Sequence, residues 1–255
     1  MALFRYLTFE GGLATLKNGT LKITPPREFN DPFEAYFGLE AKASCRFRED
    51  GVKTQENISN LANQRGVVSF SRRHNLALMW AYYTDEHEGM VIEFDEKDDA
   101  FNQRYGESLE HVDYVQPEER PLIRDEPPYL DPSDRRVLRV KSAEWIHEEE
   151  TRLIYPLNFV EVTTGKVNGR PAWFLKYPQS SVKAVYFGIR MSKEQKEVIA
   201  GSMVGWGFKN VRFVGCTCIP SYSRSRNENT KLQSLEVAWR TRIVPHACNR
   251  TLRLS

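Results

Sequence analysis

The stretch "SAEWIHEEETRLIYP", Ser142 to Pro156, decides how this chain is read. Its second half, ending in Leu153-Ile154-Tyr155, reads as a strand, and its middle holds three consecutive glutamates. In a strand over 148–154, Glu148, Glu150, Arg152 and Ile154 point to one face, and Glu149, Thr151 and Leu153 to the other. The spacing therefore makes a same-face Glu-x-Glu pair, with Arg152 next along to reduce the repulsion between the two acids. The same residues also fit a solvated strand end with an incidental ion pair, which would be worth little.

Outward from this segment, strands are expected at "LFRYLTF" (3–9), "TLKIT" (20–24), "GVVSFS" (66–71), "GMVIEFD" (89–95), "HVDYV" (111–115), "VKAVYFG" (182–188) and "NVRFVGCTCI" (210–219). A polar hairpin is expected around "TTGKVNGRP" (163–171). Helices are expected over "GGLATLKNG" with Gly19 past its end, over 50–64, over Leu76–Tyr83, over 135–147 and over 192–205. Asn30-Asp31-Pro32 is a helix-start signal. The stretch 116–134, "QPEERPLIRDEPPYLDPSD", is a proline-rich loop of a length that tends to carry function or disorder. Together these elements describe one α+β domain over 1–220, with a split, mostly antiparallel sheet, flanking helices and a cleft between its halves. Residues 221–255 read as a basic extension.

The chain has 255 residues and is 40% hydrophobic, as expected of a soluble globular protein. It contains neither a membrane-length apolar run nor a secretion signal, so a cytoplasmic location is expected. Cys45, Cys216, Cys218 and Cys248 suit a reducing compartment and lack the second close pair that a zinc site needs. Net charge is +2, but residues 217–255 hold seven Lys or Arg against two Glu. That excess suits an anionic partner such as nucleic acid, or a solubilising tail.

Two further segments bear on chemistry. Arg5 lies between Phe4 and Tyr6 in the first strand, where a guanidinium can hold a phosphate bidentately. Ser69 and Ser71 flank Phe70, so alternation sends both hydroxyls to one face. In chain order, Arg5, Ser69-Phe70-Ser71 and Glu148-Glu149-Glu150 resemble the pattern of ADP-ribosyltransferases that carry arginine, a Ser-Thr-Ser-like segment and Glu-x-Glu, with Phe70 replacing the Thr. The blocks "NGTLKITPPREFNDPFEA", "VVSFSRRHNLALMWAYY", "HEGMVIEFD", "KSAEWIHEEETRLIYP" and "VKAVYFGIRMS" resemble, in order and over about 3–220, the bacterial domain of unknown function 2971 family. Tyr82 stands where many members carry His.

The transferase resemblance implies an ADP-ribosyltransferase-like fold and NAD as substrate, with ADP-ribose passed to a protein or nucleic-acid acceptor, or to water. A toxin or phage-defence effector is the biological role expected of such chemistry. Arg5 and Tyr6 would contact the NAD, Ser69 and Ser71 would steady its nicotinamide ribose, and Tyr82, Tyr83 or Trp80 would stack on the nicotinamide. Asn30 is a further ligand contact, although capping alone explains it. Glu150 would stabilise the developing oxocarbenium charge and Glu148 would orient or deprotonate the acceptor. No metal is expected, since the five histidines are scattered and no Gly-rich phosphate loop is present. Two other classes fit the same residues. One is a metal-dependent nuclease using Glu144, Glu148 and Glu150 with Asp95 or Asp31. The other is a non-catalytic module that binds nucleic acid or another partner through the loop and the basic tail.

Overall fold

The computed structural model describes residues 2–31, 34, 38–39, 64–119, 122–123, 138–216 and 239–240. The helix expected over 50–64, most of the proline-rich loop, Pro32 of the helix-start signal and nearly all of the basic extension lie outside them.

In chain order the strands begin with β1 (Ala2–Leu7), β2 (Thr20–Ile23), β3 (Gly38–Leu39), β4 (Arg65–Ser71) and β5 (Met90–Asp95). Next come β6 (Leu109–His111), β7 (Asp113–Val115), β8 (Leu122–Ile123), β9 (Val140–Ser142) and β10 (Glu150–Pro156). The last are β11 (Val162–Val167), β12 (Arg170–Lys176), β13 (Val182–Phe187), β14 (Arg212–Cys216) and β15 (Trp239–Arg240). Among the described residues four α-helices accompany them: α1 (Phe9–Asn18), α2 (Ala77–Tyr83), α3 (Asp99–Tyr105) and α4 (Lys193–Ser202).

The main sheet runs β15-β14-β13-β5-β1-β4-β10-β6. Its pairs are antiparallel except β13–β14. A second sheet, β11-β12-β2, contains the expected polar hairpin. The architecture is thus α+β with a mostly antiparallel, mixed main sheet. Trp239 and Arg240 pair with Cys216 and Gly215, so part of the segment set apart as an extension is an edge strand of the main sheet.

Pairing along the main sheet is uneven, and this positions the cleft. β1 follows β5 from Ala2↔Asp95 to Leu7↔Met90, and β10 follows β4 from Glu150↔Ser71 to Pro156↔Arg65. Between them, β1 and β4 share a single register position, Phe4↔Ser71. Beyond it the two strands diverge, and Thr24, just past β2, bridges instead to Val67 of β4 through a pair of 2.9 Å backbone hydrogen bonds. The sheet is therefore wedged open beside Arg5 and Ser69.

Apolar packing covers both faces. Met90, Val91, Ile92 and Phe94 of β5 are fully buried, which explains why this strand reads as an apolar run interrupted only by Glu93. The larger core holds Leu3, Leu16, Phe70, Phe94, Phe101, Leu153 and Ile199. On the other face α2 lays Met79 and Trp80 over Phe4, Tyr6, Val91 and Tyr186. Helix ends are closed by local caps. Thr8 caps α1 by accepting from the Gly11 amide, Gly19 closes it at φ 62°, and Ser192 with Gln195 forms a capping box on α4.

Three expected elements differ. The helix over 135–147 is replaced, within the described part, by β9 and a 3-10 turn, Ala143–Glu148. Leu138 and Val140 are both buried, and this two-residue period belongs to a strand. The strand expected over 111–115 is broken into β6 and β7, with Val112 buried between them. The strand expected from Glu148 begins at Glu150, because Glu149 takes a left-handed conformation at φ 45° and caps the 3-10 turn.

Gly66 lets β2 lie against β4: a Cβ there would collide with the side chains of Ile23 and Leu157. Gly66→Ala should therefore lower the unfolding free energy by about 1–3 kcal/mol, the usual cost of overpacking, measured by urea denaturation.

Candidate functional site

A cleft of about 220 Å³ opens where β1 and β4 part. Arg5 and Tyr6 come to it from β1, Ser69 and Ser71 from β4, Tyr83 from the end of α2 and Glu150 from the start of β10. Glu148, Lys141, Asn30, Glu34, Glu28 and Thr24 add to its polar lining, and Phe4, Phe29 and Met79 give it an apolar side. Segments far apart in the chain therefore meet here.

Behind the cleft is a buried cluster of carboxylates and cations. Glu34, Lys141, Glu148, Glu150 and Arg152 are each at most 8% exposed. Arg152 grips Glu150 bidentately, Nε to Oε1 at 2.9 Å and Nη2 to Oε2 at 3.0 Å. Its Nη2 also reaches Glu34 at 2.6 Å and its Nη1 donates to the Leu138 carbonyl at 2.6 Å. The Phe29 ring lies 5.3 Å from the same guanidinium. Lys141 Nζ meets Glu148 Oε2 at 2.6 Å, Glu34 Oε1 at 3.0 Å and Glu150 Oε2 at 3.1 Å. Tyr83 donates to Glu148 Oε1 at 2.7 Å and accepts from Asn30 Nδ2 at 3.2 Å.

Glu148 joins Glu150 by a different route from the one the alternation predicted. It ends a 3-10 turn, and the left-handed Glu149 redirects the chain so that both neighbours face Lys141. Arg73 Nη1 holds the Glu149 carboxylate at 3.1 Å, and the Arg72 amide donates to the Glu149 carbonyl at 3.0 Å. Ser71 Oγ donates to the Glu148 carbonyl at 2.7 Å. Tyr114 Oη accepts from the Glu150 amide at 2.7 Å. The backbone carrying both acids is thus tied down on each side.

Electrostatics follow from burial opposed by pairing. Burial alone would push the Glu150 carboxyl up, but Arg152 and then Lys141 outweigh it and hold the group at about 2, with the Ser69 hydroxyl assisting. Burial would lower the Lys141 ammonium, yet Glu150, Glu34 and Glu148 raise it above its ordinary value. Arg152 is raised similarly, by Glu150 and Glu34 against burial. Burial, then the Glu148 charge, pushes the Tyr83 phenol up. Arg5 is different: burial lowers it to about 10, with Glu150 pulling it back, and it remains a cation at neutral pH. Its Nη1 donates to the Ser69 carbonyl at 2.6 Å, and among the described residues no carboxylate pairs with it within salt-bridge distance.

Of the residues singled out in the sequence, Arg5, Tyr6, Asn30, Ser69, Ser71, Tyr83, Glu148 and Glu150 line one cleft. Tyr82 does not: it is 61% exposed and packs edge-on against Trp145 and Tyr83 outside the lining. Helical geometry explains this, since consecutive residues of α2 are about 100° apart and only Tyr83 turns inward. Tyr6 faces the cleft, but its hydroxyl is committed, donating to the Arg73 carbonyl at 2.9 Å. Of the acids weighed for a nuclease, Glu148 and Glu150 meet at Lys141, whereas Glu144 is exposed and Asp95 accepts from the Lys97 amide. Among the described residues no three His, Cys, Asp or Glu form a metal-sized group.

Lys141 and Glu34 had not been singled out. Charge accounting gives the only sequence signal for Lys141: two same-face acids buried beside one arginine call for a second cation. Nothing in the sequence says which of the 36 Lys and Arg supplies it.

The fold and cleft define a mixed α+β protein with an ion-paired carboxylate site in a wedge of its main sheet. Residues 79–153 match the model of the family described as "Protein of unknown function (DUF2971)", the family the sequence blocks resemble. The matched stretch carries Tyr83, Lys141, Glu148, Glu150 and Arg152. No curated protein and no solved structure matches the chain. Among the described residues no helix is long and apolar enough to cross a membrane.

Two measurements follow from this geometry. Glu150 sits at about 2 rather than its ordinary 4.5, so its contribution is complete above about pH 4.5 and lost as pH falls through 2. The amount is on the order of 3 kcal/mol, of which about 2 should be gone at pH 3. Lys141 and Arg152 are raised, so their share is lost only at strongly alkaline pH. Urea midpoints from pH 6 to 2 should fall accordingly, and less steeply in Glu150→Gln. Glu149→Gly should stabilise the fold by up to ~1 kcal/mol through relief of the left-handed backbone, less whatever the exposed Arg73 pair contributes.

Proposed function

We propose that the cleft binds NAD and breaks its nicotinamide–ribose bond, in the manner of an ADP-ribosyltransferase. ADP-ribose passes to a protein or nucleic-acid acceptor, with hydrolysis as a side reaction when water takes the acceptor's place. The observation that carries this reading is the meeting of Arg5, Ser69 and Glu150 in one cleft. A cation without a carboxylate partner among the described residues suits the pyrophosphate or a ribose hydroxyl. The exposed Ser69 hydroxyl helps to lower the Glu150 carboxyl, so a ribose hydroxyl brought into the cleft can do the same from its place.

The chemistry of the cluster favours this bond over an ordinary glycosidic one. Hydrolysis of an O-glycoside calls for a carboxylic acid that protonates the leaving oxygen. Here Glu150 is held ionised, and both Glu148 oxygens accept hydrogen bonds from Tyr83 and Lys141. Nicotinamide needs no proton: it departs from a pyridinium with the bonding electron pair and leaves neutral. The positive charge passes to the ribose, where the Glu150 carboxylate faces it. The acceptor nucleophile then bonds to the same carbon and its proton goes to Glu148 or to solvent.

A cleft of about 220 Å³ is smaller than the ~300–1,000 Å³ usual for drug-sized ligands. It therefore takes the nicotinamide riboside end and leaves the adenylate half outside. Tyr83 and Phe29 are the rings placed to contact that end, and Tyr82 is reassigned to the rim. Consumption of NAD by such an enzyme suits a toxin or a phage-defence effector.

Purified protein incubated with NAD labelled in either half, alone and with lysate or nucleic acid, should release nicotinamide and label an acceptor, with turnover unaffected by chelator. Arg5→Met should weaken NAD binding at least ~10-fold, the loss of one charge-assisted contact, with a small change in Tm. Glu150→Gln should cut turnover ~100-fold or more. If wild-type protein releases no nicotinamide at millimolar NAD under any of these conditions, the proposal is wrong.

A further inference from the structure

The buried lysine of the cluster has no assigned role. Lys141 projects from β9, 4% exposed, and an ammonium has three N–H donors. Three carboxylate oxygens lie at 2.6, 3.0 and 3.1 Å from its Nζ, one each from Glu148, Glu34 and Glu150. Each donor is therefore spent on protein, and none remains for a ligand although the residue borders the cleft. The Trp145 ring lies 5.1 Å from the ammonium and shields it further.

These acids come from three places: the segment after Phe29, the end of the 3-10 turn and the first residue of β10. With Arg152 they amount to three negative charges against two positive ones, all desolvated. Removing Lys141 would leave the three acids to share Arg152, which already grips Glu150 with two nitrogens. Glu148 would then keep only the Tyr83 hydroxyl. An unpaired buried carboxylate takes up a proton rather than remain charged. A protonated Glu148 would turn one oxygen from acceptor to donor and give up its hold on either Tyr83 or an incoming nucleophile.

We infer that Lys141 is a positioning residue, an internal counter-cation that gathers Glu34, Glu148 and Glu150 and keeps Glu148 aimed at the cleft as an acceptor. It also fills the space that a hard divalent ion would take among these oxygens, at hydrogen-bond rather than metal–oxygen distances. The site is thereby supplied with its cation by the chain itself. The kinetic consequence rests on the NAD reading; the structural one stands without it.

Carboxyl-carbon NMR on the full chain, with glutamate labelled at Cδ, reads the titration of the three acids directly. In Lys141→Met at least one of them, Glu148 foremost, should titrate ~2 or more pH units higher than in wild type. Lys141→Arg should restore most of the difference. If Lys141→Met does not fold, the double variant Lys141→Met/Glu34→Gln keeps the net charge of the cluster, and Glu148 should still titrate higher. Carboxyl titrations that stay within ~0.5 pH unit of wild type in the folded variant would overturn the inference. In turnover, Lys141→Met should move the acid limb of the kcat profile upward and lower kcat, leaving KM for NAD within ~3-fold, since the ammonium has no donor to give the ligand. A wild-type protein with no turnover removes the NAD reading and leaves the NMR result to decide the role of Lys141.

Discussion

Three carboxylates withdrawn from water at one point require cations beside them, and this requirement organises the middle of the molecule. Taking an ion out of water costs several kcal/mol, recovered only with close opposite charge and satisfied hydrogen bonds. Arg152 and Lys141 meet both conditions, the first as a planar fork and the second as a point charge shared three ways. The elements that bring them there are irregular for the same reason. A short parallel pairing of β7 and β9 carries Lys141 inward, and a 3-10 turn with a left-handed exit turns Glu148 toward it. Regular strand geometry from Glu148 onward would align the acids on one face without enclosing them.

The wedge in the main sheet supplies the other half of the site. β10 remains in full register with β4, so Glu150 and Ser71 are locked side by side, while β1 leaves β4 after Phe4. Arg5 bonds across the opening to the Ser69 carbonyl. Its guanidinium therefore belongs to the cleft and stands apart from the ion-paired cluster. The result is an arrangement with two electrostatic characters: a closed, compensated group of charges at the back and a less committed cation at the side. An anionic substrate would find the second, and charge developing during a reaction would face the first.

Much of this was legible in the sequence, for identifiable reasons. The apolar residues around Glu93 in β5, the β-branched run before Ser69, the Gly19 signal past the end of α1 and the polar hairpin near Gly169 are local patterns with local causes. Arg5, Ser69, Ser71, Glu148 and Glu150 were visible as residue types at strand spacing. What stayed hidden depends on contacts across the chain. Lys141 sits in a segment that reads as helical, and only the enclosure of three acids makes its charge necessary. Glu34 reaches Arg152 across 118 positions, beyond the range of any periodicity. Tyr82 and Tyr83 are indistinguishable by type, and their roles separate only through the orientation of one short helix. The break before Glu150 was missed because a left-handed glutamate goes against that residue's usual backbone preference.

The single shared position between β1 and β4 has a consequence for how this scaffold tolerates variation. The opening is made by two main chains drifting apart, so its location is independent of which side chains furnish its walls. Exchanging Phe29, Asn30, Met79 or Tyr83 would reshape what fits without relocating the floor or disturbing the ladder between β4 and β10. The chain path that frames the cleft is set by the ladders on either side of it, and not by the side chains that furnish it.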